Sequence, residues 1–415
     1  MTGAWRPMLA ALLPCLLALV VFGTPASAKE DKGKDRKQYT VGKSMHEQLN
    51  KAQEAFAADD MAAAREVLEP LERKGRRMNP YERALVYLYL ATTAANEEKY
   101  DEALTYFEKC LAEDALPEAQ QLSTRFNVAQ LYLAAERFQE AIRSLELWFE
   151  LAESPNSVAF YLLAVAHYQV GDVEGAIEPA REAVVRAEKP EQNWLQLLVG
   201  ALFETKRYEE ALAPLEQLVT LYPKKAYWTQ LSALYYHLDR TPESLAAMQI
   251  AFQEGFFDNG REYRQLALLL LQADLPYRAA SVMEQGLEKK ILEPDASNWE
   301  LLANSWLLAR ENERALEPLT RAATLSGTGE LYVRLGQVYL ERERWKDASE
   351  ALTKALEKGD LNDRGGANLL MGIALYHQER LDQARSHFDA ALASESAHDS
   401  AAIWINMLDR DTGSS

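Results

Sequence analysis

Residues 329–360 read GELYVRLGQVYLERERWKDASEALTKALEKGD, and this stretch decides the fold because it contains two helical patterns in succession. In the first pattern, apolar side chains recur at the i, i+4, i+7 and i+8 spacing that forms one stripe on a helix of 3.6 residues per turn. These residues are Leu331, Leu335, Val338 and Tyr339. The second pattern repeats such a stripe with Ala348, Leu352, Ala355 and Leu356. The stretch therefore predicts two amphipathic helices joined by a tight turn.

Small and bulky residues lie where these two helices would cross. Gly336 and Ala348 are small enough to let the backbones approach, and Trp345 is large enough to fill a remaining gap. The arrangement resembles the tetratricopeptide pattern, whose period is roughly 34 residues. The residues that carry the resemblance are Tyr332-x-x-Leu335-Gly336-x-x-Tyr339 and then Ala348-x-x-x-Leu352. This resemblance implies a repeat protein.

The small residue of the second helix recurs along the chain. It is found at Ala64, Ala103, Ala141, Ala176, Ala211, Ser244, Ala279, Ala315, Ala348 and Ala384. The nine steps cover 320 positions, and the mean spacing of about 36 residues is close to the tetratricopeptide period. We therefore predict an all-α fold, a right-handed α-solenoid of about ten helix pairs over residues 45–396.

The end of the chain departs from the repeat. Residues 397–410 have the spacing of one further helix, with Ala401, Trp404, Ile405 and Leu408 on one stripe. We predict that this helix caps the open end of the solenoid. Residues 411–415 contain no apolar side chain and are predicted to be disordered.

Composition narrows the possible functions. The chain has 63 acidic and 45 basic residues, a formal net charge of −18, which disfavours general nucleic-acid binding. Its 415 residues exceed what one compact core usually supports. A solenoid resolves this difficulty, since each repeat packs only on its neighbours.

The N-terminus has the features of a secretory signal. Arg6 precedes an apolar run over residues 8–22, and Ala26-Ser27-Ala28 is a small-x-small cleavage site. We predict that residues 1–28 are a cleaved signal peptide and that the protein is periplasmic; an uncleaved N-terminal anchor is the alternative. Residues 29–44 are charged and predict a flexible linker. Cleavage leaves Cys110 as the single cysteine, and its place in the pattern predicts a buried structural thiol.

The chain lacks the common catalytic motifs. GxxxxGK[ST], HExxH, CxxC and GxSxG do not occur, and the histidines are scattered along the repeats. We predict a protein that is not an enzyme and that uses no cofactor and no metal. An enzyme with an unrecognised site is the distant alternative.

A second resemblance rests on five stretches of the chain, residues 79–82, 148–155, 221–228, 272–280 and 329–332. In these stretches the chain resembles one particular family, the periplasmic tetratricopeptide proteins associated with TonB–ExbB–ExbD energy-transducing systems. The resemblance implies a non-catalytic scaffold that is an accessory component of TonB-dependent uptake, typically of ferric siderophores or related nutrients. The implied partners are TonB/ExbB/ExbD-type components. A scaffold for envelope assembly or for cell-wall enzymes is the alternative in the same class.

The tetratricopeptide resemblance also implies where a partner would bind. In such a superhelix, the second, fifth, ninth, twelfth and thirteenth places of each unit line the inner groove. In this chain they include Phe126, Gln130, Tyr161, Tyr168, Asn193, Tyr236, His237, Arg261, Arg264, Asn304, Gln337 and Tyr376. Amides that can bond a peptide backbone and aromatic rings that can bury its side chains suit an extended peptide. Arg261 and Arg264 would attract an acidic segment. The alternative is that these residues only pack against the next turn of the superhelix.

Overall fold

The computed structural model describes residues 40–413, and over this range the chain is built from twenty-one α-helices with no β-strand. The predicted signal peptide, the linker up to residue 39 and residues 414–415 lie outside the described residues. The all-α fold predicted from the sequence is confirmed: ten helix pairs are followed by one further helix. The chain divides into two compact units after Pro223.

Each unit contains five helix pairs, and each pair has a first and a second helix. The first unit contains α1 Lys43–Ala57, α2 Met61–Arg73, α3 Pro80–Asn96, α4 Tyr100–Ala112, α5 Glu118–Ala134, α6 Phe138–Leu151, α7 Ser157–Gln169, α8 Val173–Arg186, α9 Gln192–Glu204 and α10 Tyr208–Leu221, with a 3-10 turn at Gly75–Arg77. The second unit contains α11 Lys225–His237, α12 Thr241–Gln253, α13 Gly260–Gln272, α14 Pro276–Glu288, α15 Ala296–Leu308, α16 Asn312–Leu325, α17 Glu330–Glu341, α18 Trp345–Lys358, α19 Arg364–Tyr376, α20 Leu381–Leu392 and α21 His398–Gly413.

Two boundaries differ from the prediction. Helix α1 begins at Lys43, inside the segment predicted to be a linker, and the backbone N–H of the preceding Gly42 donates to Glu82 Oε1 at 2.9 Å. Helix α21 continues to Gly413, so that residues 411–413 are helical where a disordered tail was predicted. Its last turns are held by an ion pair between Asp409 and Arg385 of α20.

The ten turns inside the helix pairs share one geometry. A residue with positive φ ends the first helix, and the next residue caps the second helix. Glu136, for example, has φ 56°, and the N–H of Arg137 donates to the carbonyl of Tyr132 at 2.8 Å. This left-handed residue stops the helix and satisfies a carbonyl of its last turn. The equivalent residues are Asp59, Glu98, Glu136, Gly171, Lys206, Asp239, Asp274, Arg310, Glu343 and Glu379.

The small residues that defined the repeat are fully buried in all ten pairs. Each is the fourth residue of its second helix, where the two helices of a pair cross. Ser244 is the one polar member, and its hydroxyl lies 2.9 Å from that of Ser232 on the facing helix. A buried hydroxyl is tolerated here because it has a hydrogen-bond partner. Cys110 is buried as predicted, and burial raises the pKa of its thiol to about 12.

Within residues 40–413, no helix is both long and apolar enough to cross a bilayer.

Candidate functional site

The predicted site residues lie on the first helices of the pairs, and we call the surface formed by their second, fifth, ninth, twelfth and thirteenth places the first-helix face. Five of the twelve predicted residues belong to the first unit: Phe126, Gln130, Tyr161, Tyr168 and Asn193. The other seven belong to the second unit: Tyr236, His237, Arg261, Arg264, Asn304, Gln337 and Tyr376. Each unit has its own first-helix face, and the two are considered separately.

In the first unit, an aromatic contact joins the first helices of consecutive pairs. Tyr161 is only 5% exposed, and its ring stacks on that of Trp194 with a centroid distance of 5.4 Å. Asn193 donates from Nδ2 to Tyr161 Oη at 3.1 Å. Burial raises the pKa of the Tyr161 phenol to about 12, which keeps the hydroxyl protonated. Tyr161 and Asn193 therefore contribute to packing between repeats.

Two further predicted residues of the first unit, Phe126 and Tyr168, also contact neighbouring side chains. Phe126 packs against Trp148 of the same pair at a centroid distance of 5.0 Å. Tyr168 donates its hydroxyl hydrogen to Glu204 Oε1, on the next first helix, at 2.6 Å. Gln130 is half-buried. In this unit the packing alternative describes most of the predicted site residues.

The second unit presents more of its predicted residues to solvent. Tyr236 is 54% exposed, and His237, Arg261 and Gln337 are exposed as well. Tyr376 differs from these because it packs edge-on against Trp404 of α21 at 5.3 Å. The first-helix face of the second unit therefore exposes more of its predicted polar and aromatic side chains than that of the first unit.

The two predicted arginines lie three residues apart on α13, on neighbouring positions of one helix face. Arg264 donates to Asn298 Oδ1 at 2.6 Å and to Ser297 Oγ at 3.2 Å. Asn298 is itself buried and donates to the Glu293 carbonyl at 2.9 Å. Arg264 is thus held in place by α15, and Arg261 is the exposed member of the pair.

Asn304 is distinguished by an unsatisfied acceptor. Its Oδ1 atom is buried and has no hydrogen-bond partner among residues 40–413. A buried acceptor without a partner costs about 1–3 kcal/mol of desolvation free energy.

The structure adds two apolar residues that the sequence prediction did not include. Leu268 is 52% exposed and Leu308 is 63% exposed, both on first helices of the second unit. Leu268 is the ninth residue of α13, the same place that Asn304 occupies on α15. Both leucines could have been predicted from the sequence, because they occupy the ninth and thirteenth places of the repeat, which belong to this face.

Metal-ligating side chains and histidine–carboxylate contacts are the features that would indicate a catalytic centre. In the described part of the chain, no group of three or more His, Cys, Asp or Glu side chains is arranged to hold a metal ion. His167 Nδ1 lies 2.8 Å from Asp172 Oδ2, but Asp172 also caps α8 by accepting from the N–H of Gly175 at 3.0 Å. That backbone hydrogen bond and the contact with His167 lower the pKa of the Asp172 carboxyl. This pair is explained by helix capping.

Family models match several parts of the repeat array. Models of the tetratricopeptide repeat match residues 84–115, 126–193 and 333–404. A tetratricopeptide repeat protein from Parabacteroides merdae ATCC 43184 is 19% identical, with 64% of this chain and 99% of that chain covered and a TM-score of 0.38. MamA from Desulfovibrio magneticus RS-1 is 19% identical, with 44% and 97% covered and a TM-score of 0.37. YrrB, described as a TPR protein with an unusual peptide-binding site, is 16% identical, with 45% and 91% covered and a TM-score of 0.36. No curated protein matches the chain.

Proposed function

We propose that this array of tetratricopeptide-like repeats is a non-catalytic scaffold that binds an extended segment of a partner protein on the first-helix face of its second unit. The observation that carries the proposal is that three first helices of this unit, α11, α13 and α15, expose an aromatic, a cationic and an apolar side chain: Tyr236, Arg261 and Leu308. Exposed apolar side chains beside polar ones are typical of protein-binding surfaces.

The other groups on this face indicate the chemistry of the partner. Arg261 is exposed and Arg264 is fixed one helical turn further on, so a carboxylate of the partner can bind between two guanidinium groups. Tyr236, Leu268 and Leu308 can bury apolar side chains of the partner. The favoured partner is therefore an extended segment that carries acidic and apolar residues.

A triple variant tests this site. Tyr236→Ala, Arg261→Ala and Leu308→Ala remove three of these side chains, and all three are exposed enough for the fold to tolerate their loss. We expect retained helicity by circular dichroism and at least a tenfold loss of affinity for peptides selected on the wild-type protein from a random-peptide display library.

The matched control is Ile250→Ala with Arg321→Ala, which removes two exposed side chains from second helices of the same unit. The control should bind the selected peptides as the wild type does. Undiminished binding by the folded triple variant, or equal losses in both variants, would contradict the proposed site.

We further propose that the protein is secreted to the periplasm. The support is the sequence alone: Arg6, the apolar run over residues 8–22 and the site at Ala26-Ser27-Ala28. Mass spectrometry of the native protein should find an N-terminus at Lys29 in a periplasmic fraction. An intact Met1 in a cytoplasmic fraction would refute secretion.

Within the periplasm, we propose a role as an accessory component of a TonB-dependent uptake system, with a TonB/ExbB/ExbD-type component as the partner. This rests on the five stretches that resemble the TonB-associated family. Affinity purification from cross-linked cells should recover such a component, and deletion should slow ferric siderophore uptake. Recovery of envelope-assembly factors or cell-wall enzymes instead, with normal uptake, would favour the alternative scaffold role.

A further inference from the structure

A small surface cavity, open to solvent on one side, lies between the second helices of the last two pairs, α18 and α20. Its volume is about 250 Å³. The apolar part of its lining is formed by Met371 and Leu375 of α19, and the polar part includes Glu350, Arg380 and His387. It is lined mainly by second helices and is separate from the first-helix face discussed above.

In two other parts of the chain, an ion pair joins the ninth residue of one second helix to the third residue of the next second helix. Arg181, the ninth residue of α8, lies 2.6 Å from Glu210, the third residue of α10. Glu284, the ninth residue of α14, lies 2.9 Å from Arg314, the third residue of α16. The ion pair can thus form with the arginine on either of the two helices and the glutamate on the other.

The last two pairs, like most successive pairs in the chain, do not have this bridge. The ninth residue of α18 is Thr353 and the third residue of α20 is Gln383, and both line the cavity. Neither side chain carries a charge, so no ion pair closes the space between the helices at these places.

Gln383 also leaves Arg380 without its usual partner. Five second helices have an arginine immediately before their first residue, and in four of them this arginine pairs with an acidic residue three positions later, at 2.6–3.1 Å. These pairs are Arg137–Glu140, Arg207–Glu210, Arg240–Glu243 and Arg344–Asp347. In α20 the residue three positions after Arg380 is Gln383.

Two solvent-exposed side chains of opposite charge lie at the cavity and do not pair with each other. Glu350 and Arg380 both line it, and within residues 40–413 neither takes part in an ion pair, with each other or with another residue. A ligand that carries a cation and an anion at once would pair with both groups.

His387 adds a hydrogen-bond acceptor to the lining. Asn368 donates from Nδ2 to the Arg364 carbonyl at 2.9 Å, so its Oδ1 faces His387 Nδ1, also at 2.9 Å. The Nδ1 atom must then carry the ring proton, and Nε2 is left as an acceptor. Burial lowers the pKa of His387 and favours this neutral form.

We propose that this cavity binds a free α-amino acid with an apolar side chain. The carboxylate pairs with Arg380, and the ammonium pairs with Glu350 and donates to His387. The apolar side chain packs on Met371 and Leu375. The volume is below the range typical of drug-sized ligands and suits a molecule of this size.

Isothermal titration calorimetry of the full-length protein with L-leucine tests the proposal. We expect saturable binding of one leucine per chain at millimolar or lower concentration. L-leucinamide lacks the carboxylate and N-acetyl-L-leucine lacks the ammonium, so each should bind at least tenfold more weakly.

The decisive variant is Thr353→Arg with Gln383→Glu, which copies the Arg181–Glu210 bridge into the cavity. Because the fold already uses this bridge, the variant should melt at or above the wild-type temperature while leucine binding is lost. Arg344→Ala removes the equivalent arginine of the preceding pair, outside the cavity lining, and should leave leucine binding unchanged.

Three results would overturn the assignment. The first is the absence of leucine binding to the wild-type protein. The second is equal affinity for leucine, L-leucinamide and N-acetyl-L-leucine. The third is undiminished leucine binding by the folded Thr353→Arg, Gln383→Glu variant. Because none of these measurements involves peptide capture, they are independent of the partner-binding proposal.

Discussion

Gly336 lies so close to Leu352 that a Cβ atom on Gly336 would be 2.7 Å from Leu352 Cγ. The two residues face each other where α17 and α18 cross, and the contact is closer than real Cβ atoms show. The crossing distance of this pair therefore depends on the missing side chain of glycine.

Replacing Gly336 with alanine should destabilise the protein. Overpacking costs about 1–3 kcal/mol, and the better helix propensity of alanine returns about 0.5–1 kcal/mol. We expect a net loss of about 1 kcal/mol, measured as a lower midpoint of urea unfolding. Gly200→Ala is the matched control, because no atom lies within 4 Å of a Cβ at that helical glycine. The control should raise the midpoint, and a Gly336→Ala variant that does the same would contradict the close contact.

Arg65 should link the first two helix pairs in a pH-dependent manner. It donates to Glu102 at 2.8 Å and pairs with Glu97. Its guanidinium lowers the pKa of the Glu97 carboxyl from 4.5. A lowered carboxyl pKa stabilises the fold above the unfolded value and loses this effect as the pH falls through the folded value.

The corresponding experiment compares Arg65→Ala with wild type by thermal unfolding at pH 7 and below pH 4.5. We expect a lower melting temperature for the variant at pH 7 and a smaller difference in acid. Arg321→Ala, which breaks an exposed pair with Glu317 and a contact with the Trp299 ring, should give a small difference from wild type that is similar at both pH values. A difference between wild type and Arg65→Ala that is independent of pH would refute the electrostatic explanation.

Cys110 should be almost unreactive in the folded protein. Burial raises the pKa of its thiol from 9.0 to about 12, so the thiolate fraction at pH 8 falls about a thousandfold, and the thiolate is the reactive form. We expect slow alkylation of Cys110 by iodoacetamide in buffer and rapid alkylation in concentrated guanidinium chloride, followed by peptide mass spectrometry. Equal rates in the two conditions would show that the thiol is accessible.

His387 should make the second unit less stable in mild acid. Its folded pKa lies below the ordinary value of 6.5, so the unfolded chain binds the proton more readily. Stability is therefore fully present above pH 6.5 and is lost as the pH falls through the lower folded value. His387→Gln should flatten the dependence of the urea midpoint on pH between 7.5 and 5, whereas His46→Gln, at an exposed position, should not. An unchanged slope in His387→Gln would contradict this assignment.

The local signals in the sequence were reliable because they reflect contacts inside one helix pair. The recurrence of a small residue requires only that two adjacent helices cross closely, and all ten of these residues are fully buried. The ends of the array were predicted less well. Helix α1 begins two residues before the predicted start of the solenoid, and α21 ends three residues after the predicted end of the capping helix.

The candidate site was only partly accessible to sequence reasoning. The repeat template places Tyr161 and Tyr236 on the same kind of face, yet Tyr161 is buried against Trp194 and Tyr236 is 54% exposed. The repeat position predicts the helix face on which a side chain lies. It does not predict whether the next helix has a side chain long enough to cover it. The omission of Leu268 and Leu308 has a different cause, since a binding site was sought among polar and aromatic residues.

The sequence by itself determined the helical period, the pairing of helices and the small residues at each crossing, because these depend on side chains close together along the chain. Only the tertiary structure decided which side chains of the repeat face meet a neighbour and which remain exposed. It also decided that Glu350, Arg380 and His387, separated by up to 37 residues, line one cavity. The physical reason is that these outcomes depend on the distance between consecutive pairs, which is the combined result of packing along the array and is not encoded at any single repeat position.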